Sequence, residues 1–237
     1  MRPSVAAGTV IAMRYGLLFL ILGGSIAGLG ALAGGAAWVL SWPALSFSWV
    51  GSAYLARRPA MLGKRPDGTI AALASLWLGP YFLLCWGVWH AERLLGREDA
   101  ANEIAPGLWV GRRPLAHELP AGARRVVDLT AEFPAAVEVR GRAGYLCIPV
   151  LDGTAPDMST LRALLDRLRD DDGILLHCAS GHGRSAMVAA ALLIERGLAD
   201  DVERAEAMLE QHRPGIRLHA TQRALVRAVS ARAGGEA

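Results

Sequence analysis

His177-Cys178-Ala179-Ser180-Gly181-His182-Gly183-Arg184-Ser185 follows one apolar run, Gly173-Ile174-Leu175-Leu176, and leads into another that opens with Ala186-Met187-Val188. The first run reads as a buried strand. The second reads as a helix, because Met187, Ala190, Ala191 and Ile194 recur at helical spacing. Between them lies a loop of glycines and small residues. In a strand-loop-helix of this kind successive backbone N–H groups converge on one point, and the helix N-terminus adds the positive end of its dipole there. The loop is therefore a cradle for phosphate.

Each side chain of the loop has a reading. Cys178 lies where helix N-termini and neighbouring cations favour a thiolate, which is the nucleophilic form. Arg184, six residues on, offers two parallel N–H donors to phosphate oxygens and to the charge of a transition state. Ser185 is placed to donate to the sulfur as a phosphocysteine breaks down. Ala179, Ser180, Gly181, His182 and Gly183 contribute the backbone of the cradle, with the glycines permitting a tight turn. His177 orders the loop by hydrogen bonding. An isolated buried cysteine is ordinarily only a small hydrophobe, and that reading stands for Cys147, inside a strand, and for Cys85, inside an apolar run. At Cys178 the spacing of His, Cys, Arg and Ser between a strand and a helix overrides it.

Working outward, Arg125-Val126-Val127-Asp128-Leu129 and Ala143-Gly144-Tyr145-Leu146-Cys147-Ile148-Pro149-Val150 read as further short strands. Leu161, Leu164, Leu165 and Leu168 mark a helix, as do Ala205, Met208 and Leu209. Strands alternating with helices predict an α/β domain over 103–237, with a central, mostly parallel sheet flanked by helices.

Departure of a leaving group needs a proton, so the chemistry requires a carboxylic acid facing the cradle. Asp152 directly follows a strand and precedes a loop containing Gly153 and Pro156. Asp157 is the other candidate, but it is well placed to cap the helix that carries Leu161. Asp152 is favoured. Asp128, at a strand end, is expected to make a structural hydrogen bond to a neighbouring turn.

The loop matches His-Cys-(five residues)-Arg-Ser, and in this it resembles the protein tyrosine phosphatase superfamily, specifically its compact dual-specificity branch. Ile104-Ala105-Pro106-Gly107-Leu108-Trp109-Val110-Gly111 looks like the entry strand of that branch, and Arg213-Pro214-Gly215-Ile216 to Gln222 looks like its closing segment. The resemblance covers most of 103–237 and leaves 1–100 outside. It implies catalysis through a phosphocysteine with no metal or other cofactor, and it agrees with Asp152, 26 residues before Cys178, as the acid.

The first hundred residues differ in kind. The chain is 53% hydrophobic with a mean hydropathy of +0.29, and the excess lies here. Asp, Glu, Lys, Arg and His are absent from 15–56 and again from 70–89. A membrane-spanning helix needs about 20 apolar residues, so the pattern predicts a short tail at 1–14 and about three spans, near 15–35, 37–56 and 70–90, followed by a linker at 91–102. Trp38, Trp42, Trp49, Trp77, Trp86 and Trp89 suit interfacial belts, and Pro80 would kink the third span. The apolar N-terminal run is too long and unbroken for a signal peptide. Glycines at 23, 24, 28, 30, 34 and 35 are common in membrane helices and imply no oligomer.

Charge divides at the same place. Residues 1–102 hold 8 Lys and Arg against 4 Asp and Glu, and 103–237 hold 17 against 18, which excludes the broad basic face of a nucleic-acid binder. Three cysteines provide neither a disulfide framework nor metal-ligand spacing. Sidedness is in conflict: with three spans the positive-inside rule places the C-terminal domain outside the cell, whereas a catalytic thiol suits a reducing compartment, which two crossings would provide.

The expected function is thus a multi-pass cell-membrane phosphomonoesterase acting on a phosphoprotein, as a tyrosine or dual-specificity phosphatase. Its alternative is a phospholipid phosphatase, for phosphatidylglycerophosphate or a phosphoinositide, with His182 as a second cation. The non-enzymatic alternative is a membrane-tethered phosphate-binding module, against which the intact Cys178, Arg184, Ser185 and Asp152 argue.

Overall fold

The computed structural model describes residues 3–233, with side chains described from 10 to 231. Its C-terminal part is built on a five-stranded sheet of β1 (Ala101–Ala105), β2 (Leu108–Gly111), β3 (Arg125–Thr130), β4 (Tyr145–Val150) and β5 (Ile174–His177), in the order β1-β2-β5-β3-β4. Only the β1–β2 pair is antiparallel, and β2, β5, β3 and β4 run parallel to one another. The sheet is mostly parallel, as expected. The anticipated entry strand over 104–111 is instead a hairpin, because Gly107 adopts a left-handed backbone at its turn.

Strand β5 lies at the centre, and its side chains alternate between two cores. Ile174 and Leu176 join Val127, Leu129 and the apolar faces of α6 (Met158–Leu168), α7 (Arg184–Glu195), α8 (Val202–His212) and α9 (Ala220–Ala233). Leu175 points the other way, with Val126, Val139 and Ala123, under the short α5 (Val137–Arg140). Burial on both faces is why β5 reads as a continuous apolar run. Asp157 caps α6 by accepting from the Thr160 N–H at 2.8 Å, and Asp201 caps α8 at Arg204 N in the same way.

The first hundred residues form α1 (Pro3–Ala33), α2 (Ser41–Ala56), α3 (Ala72–Trp77) and α4 (Gly79–Leu95). They correct the expected membrane layout. The tail at 3–14 is already part of α1, and among the described residues one helix segment, Val10–Ala33, is long and apolar enough to cross a bilayer. Ser41–Ala56 is only 16 residues, about 24 Å of helix, preceded by a six-residue 3-10 helix at Gly35–Leu40. The region 70–90 is broken at Leu78, and Pro80 begins α4 rather than kinking a span. Moreover, α4 continues through 91–95 of the anticipated linker, and Trp89 is buried against protein rather than placed in a belt.

Helices α1 and α2 pack closely where glycines remove side chains: a Cβ at Gly23 would lie 2.4 Å from Ser48 Oγ, and one at Gly51 2.8 Å from Gly16 O. Gly16, Gly23 and Gly51 therefore serve a contact within the chain, whereas a Cβ at Gly24, Gly28, Gly34 or Gly35 would meet nothing. Phe47, Val50, Tyr54, Tyr81 and Phe82 form a core of this region that also takes in Ala131 and Leu151 of the sheet domain. On α4, Trp86 and Trp89 stack with the Arg113 guanidinium at 4.9 and 5.0 Å from their ring centroids. The two parts of the chain meet at this cluster and at the Arg113 stack.

Candidate active site

In a parallel sheet the strands end on one side, and ligands bind beyond their carboxyl ends. Three strands bring a functional group to that edge here: β5 ends at His177 and Cys178, β3 leads to Glu132, and β4 leads to Asp152. After Cys178 the loop curls back so that the Gly181 N–H donates to Cys178 Sγ at 3.2 Å, and Ser185 Oγ lies 3.4 Å from the same sulfur. Gly181 has a φ of 85°, and a Cβ there would fall 2.5 Å from the carbonyl carbon of Gly111. Only glycine fits such a bend.

The outside of the loop is held from several directions. The Arg113 N–H donates to Ala179 O at 3.0 Å. Arg213, buried, donates to Ser180 O at 3.0 Å and to Asn102 Oδ1 at 2.7 Å. Gln222 donates to Thr154 O at 3.2 Å, which links the closing segment to the Asp152 loop. His177 Nδ1 lies 3.4 Å from Cys178 O.

Arg184 occupies the centre, buried beneath the loop. Its Nη1 donates to Glu132 Oε2 at 2.9 Å and to Val150 O at 2.9 Å, while its Nη2 donates to Glu132 Oε1 at 2.7 Å. Nη2 also lies 3.0 Å from Asp152 Oδ1, and Nε is buried without a partner. The fork expected to lie open for phosphate is therefore largely engaged with Glu132, and Nε is the donor left free. Burial opposes the charge on Arg184, but the Glu132 and Asp152 carboxylates outweigh it and hold the guanidinium firmly protonated. Asp152 itself is exposed. Asp157 is committed to its cap: hydrogen bonds from Ser159 and Thr160 lower its carboxyl to about 2.

Glu132 was not singled out by sequence reasoning, although its position just past the end of β3 is a usable signal. Two more carboxylates come from outside the sheet. Ser180 Oγ donates to Glu92 Oε2 at 2.9 Å, and Glu98 Oε2 lies 2.8 Å from His182 Nε2 and 3.1 Å from Arg213 Nη2. His182 is thus faced by a carboxylate rather than free as a second cation. Asp128 does bond the following turn, accepting from the Thr130 N–H at 2.9 Å, but it also meets the buried Lys64.

The profile described as PTP-SAK, Swiss Army Knife protein, DSP-PTPase phosphatase domain, matches residues 112–233. No curated protein matches the chain. Among solved structures, one described as Tk-PTP in the active form is 31% identical, over 56% of this chain and 97% of that one, with a TM-score of 0.48. Human DUSP28 is 23% identical over 59% and 97%, at 0.48. PTPMT1 in complex with PI(5)P is 17% identical over 58% and 99%, at 0.50, a likeness of fold. With more than half of its length matched, Cys178 and Arg184 included, the chain belongs to the PTP-SAK family and carries a phosphatase domain of the dual-specificity type.

Proposed function

We propose that the protein is a membrane-anchored phosphomonoester hydrolase that works through a phosphocysteine at Cys178. The observation that carries this reading is the Cys178 sulfur met by both the Gly181 N–H and the Ser185 hydroxyl, on a loop that leads directly into Arg184, whose Nε is buried and unpartnered. Phosphate entering the cradle meets the loop N–H groups of 179–183 and Arg184. It displaces Asp152 from Arg184 and frees that side chain to carry a proton.

Cys178 then attacks phosphorus in line. The S–P bond forms as the P–O bond to the leaving group breaks, and Asp152 gives its proton to the departing oxygen. In the second half a water attacks phosphorus and passes its proton to Asp152, and the S–P electron pair returns to sulfur. The Ser185 hydroxyl stabilises that thiolate. Glu132 holds Arg184 in place through both halves.

Membrane attachment is supported by Val10–Ala33 and by the apolar side chains that the first hundred residues leave exposed, among them Ile21, Leu29, Leu32 and Trp38. At the α1–α2 tip Leu32 and Trp38 are both strongly exposed. Opposite that tip, Ile11 and Tyr15 of α1 abut Gly153 in the Asp152 loop, and Ala12 and Arg57 line a cavity of about 880 Å³ together with Pro149 to Leu151. A hairpin whose tip dips into the bilayer and whose two ends lie by the catalytic domain places that domain on the side of Arg14, Arg57 and Arg58. That is the cytosolic side by the positive-inside rule, and it keeps the thiol in a reducing compartment.

The substrate read first is a phosphoprotein, of phosphotyrosine or dual-specificity type. The contact of Gly153 with α1 favours a second reading, a phospholipid monoester presented at the membrane surface. With Glu98 facing His182, a single phosphate suits this site better than a polyphosphorylated headgroup. The test is hydrolysis of p-nitrophenyl phosphate by the full chain in EDTA, followed by phosphotyrosine peptides against phosphatidylglycerophosphate. Cys178→Ser should bind phosphate and release no product, and turnover by that variant would overturn the mechanism.

A further inference from the structure

Residues 63–71 form a small turn that leaves the helical region and enters the phosphatase domain. Lys64 pairs with Ile70 across it, and the Gly68 carbonyl accepts from the Ala135 N–H at 2.8 Å. The turn packs directly on β4, since a Cβ at Gly68 would lie 2.3 Å from the Tyr145 hydroxyl. It delivers the Lys64 side chain, fully buried, to the interior beside β3.

There the ammonium finds three acceptors for its three protons: Asp128 Oδ2, Thr130 O and Thr130 Oγ1, each at 2.7 Å. The Thr130 hydroxyl in turn donates to Asp128 Oδ1 at 2.7 Å, and the Tyr145 hydroxyl donates to Oδ2 at 2.8 Å. Asp128 is paired in register with His177 on β5. His177 Nε2, buried and unpartnered, lies 3.9 Å from Asp128 Oδ1, and the next residue is Cys178. Buried hydrogen bonds thus run from the helical region as far as Asp128, and the β3–β5 register sets Asp128 beside His177, the residue before the nucleophile. A buried carboxylate is tolerated only where it is paired and hydrogen-bonded, and here the pairing cation lies outside the matched phosphatase region of 112–233.

We infer that Lys64 is a positioning residue for the catalytic loop: by holding Asp128 it fixes His177 and the strand end that carries Cys178, so that the helical region completes the active site from behind. The inference rests on the phosphocysteine reading above. The other groups around Asp128 are Arg113, from the segment after β2, and Tyr145 and Cys147 on β4. None of them replaces an ammonium with three donors.

The experiment uses the full chain in detergent, with Lys64→Met, Lys64→Arg and the double variant Lys64→Met/Asp128→Asn. Two quantities are read: kcat and KM for p-nitrophenyl phosphate, and the rate of Cys178 alkylation by iodoacetamide against pH, followed on the Cys178 peptide. Lys64→Met should lower kcat at least tenfold with KM changed less than threefold, and should displace the alkylation profile by half a pH unit or more. Lys64→Arg, which keeps the charge, should recover most of the profile. A folded Lys64→Met protein with wild-type kcat and wild-type alkylation would overturn the inference. If that variant does not fold, the double variant, in which the buried charge leaves with its partner, decides: a kcat at least fivefold low supports positioning, and a wild-type kcat rejects it. Wild-type protein inactive on p-nitrophenyl phosphate would instead defeat the phosphatase reading, and the alkylation profile would still judge Lys64.

Discussion

The guanidinium of Arg184 grips the carboxylate of Glu132 with two hydrogen bonds, Nη1 to Oε2 at 2.9 Å and Nη2 to Oε1 at 2.7 Å, and both side chains are buried. A bidentate pair of this kind fixes the plane of the guanidinium as well as its position. The unpartnered Nε is thereby held still, and the cradle is shaped before any phosphate arrives.

Removing one member of a buried pair leaves the other uncompensated, at a cost of about 3 to 5 kcal/mol. Glu132→Ala should therefore lower unfolding stability by that order, measured by denaturant titration. It should also cut kcat/KM for p-nitrophenyl phosphate by about a hundredfold or more, because the Arg184 plane is released. Glu132→Gln keeps one acceptor and should fall between the two. Wild-type kcat/KM in a folded Glu132→Ala protein would show that Arg184 is held by other means.

Asp152 differs from Glu132 in being exposed and meeting Arg184 from the solvent side at 3.0 Å. A carboxyl that moves between an arginine and a leaving group should matter most where the leaving oxygen is basic. Asp152→Asn should slow phosphotyrosine peptides by about a hundredfold or more and p-nitrophenyl phosphate much less, with little effect on stability. Equal losses on both substrates would transfer the acid role elsewhere.

Much of this site is legible in the chain because its parts are local. The strand Gly173 to Leu176, the loop and the helix beginning at Arg184 are contiguous, and the Asp157 cap is three residues from its acceptor partner, Thr160. Glu132 and Lys64 are not legible in that way. Their partners lie 52 and 64 residues away, and nothing in the local pattern distinguishes a buried lysine in a turn from a solvated one. Hydropathy predicts more spans than the fold holds for a related reason. Hydropathy counts apolar residues but does not separate those facing lipid from those facing protein, and Trp86 and Trp89 face Arg113 and Phe133.

The docking of α4 can be tested at that cluster. Trp89 is 2% exposed and lies between the Arg113 and Arg93 guanidinium groups, 5.0 and 4.7 Å from its ring centroid. Loss of a buried tryptophan costs about 3 to 5 kcal/mol. Trp89→Ala should destabilise the whole chain by that amount in a single transition if the helical region and the phosphatase domain unfold together. Two separated transitions, the first at lower denaturant, would show that they do not.

The acid limb of stability follows from His177. Burial pushes its imidazole below the ordinary value of about 6.5 and Lys64 adds to this, against the pull of Asp128. The folded state therefore refuses a proton that the unfolded chain accepts. Stability from this group is complete above about pH 6.5 and falls as pH drops from there toward the folded value, at no more than about 1.4 kcal/mol per pH unit. Denaturant midpoints measured from pH 7.5 down to 5 should fall for the wild type and flatten for His177→Gln. Parallel curves would assign the acid sensitivity to other groups.

Sidedness is the last consequence, and it turns on Gly153. A Cβ at this glycine would lie 2.8 Å from Tyr15 Cε2, so the Asp152 loop sits beside the Ile11 to Tyr15 turn of α1, at the end of the apolar segment far from the α1–α2 tip. Arg57, at the end of α2, lines the same cavity as Pro149 to Leu151. If the hairpin dips into lipid from its tip, protease added to sealed inside-out vesicles should digest the phosphatase domain, and protease added to right-side-out vesicles should leave it intact. The protein should stay with the membrane in alkaline carbonate, held by the exposed apolar surface of α1. Leu18→Arg and Ile21→Arg, on positions that are exposed and touch nothing catalytic, should together release it while leaving hydrolysis of p-nitrophenyl phosphate unchanged. Digestion from the outside would reverse the orientation and place Cys178 in an oxidising space, where its turnover would depend on added reductant.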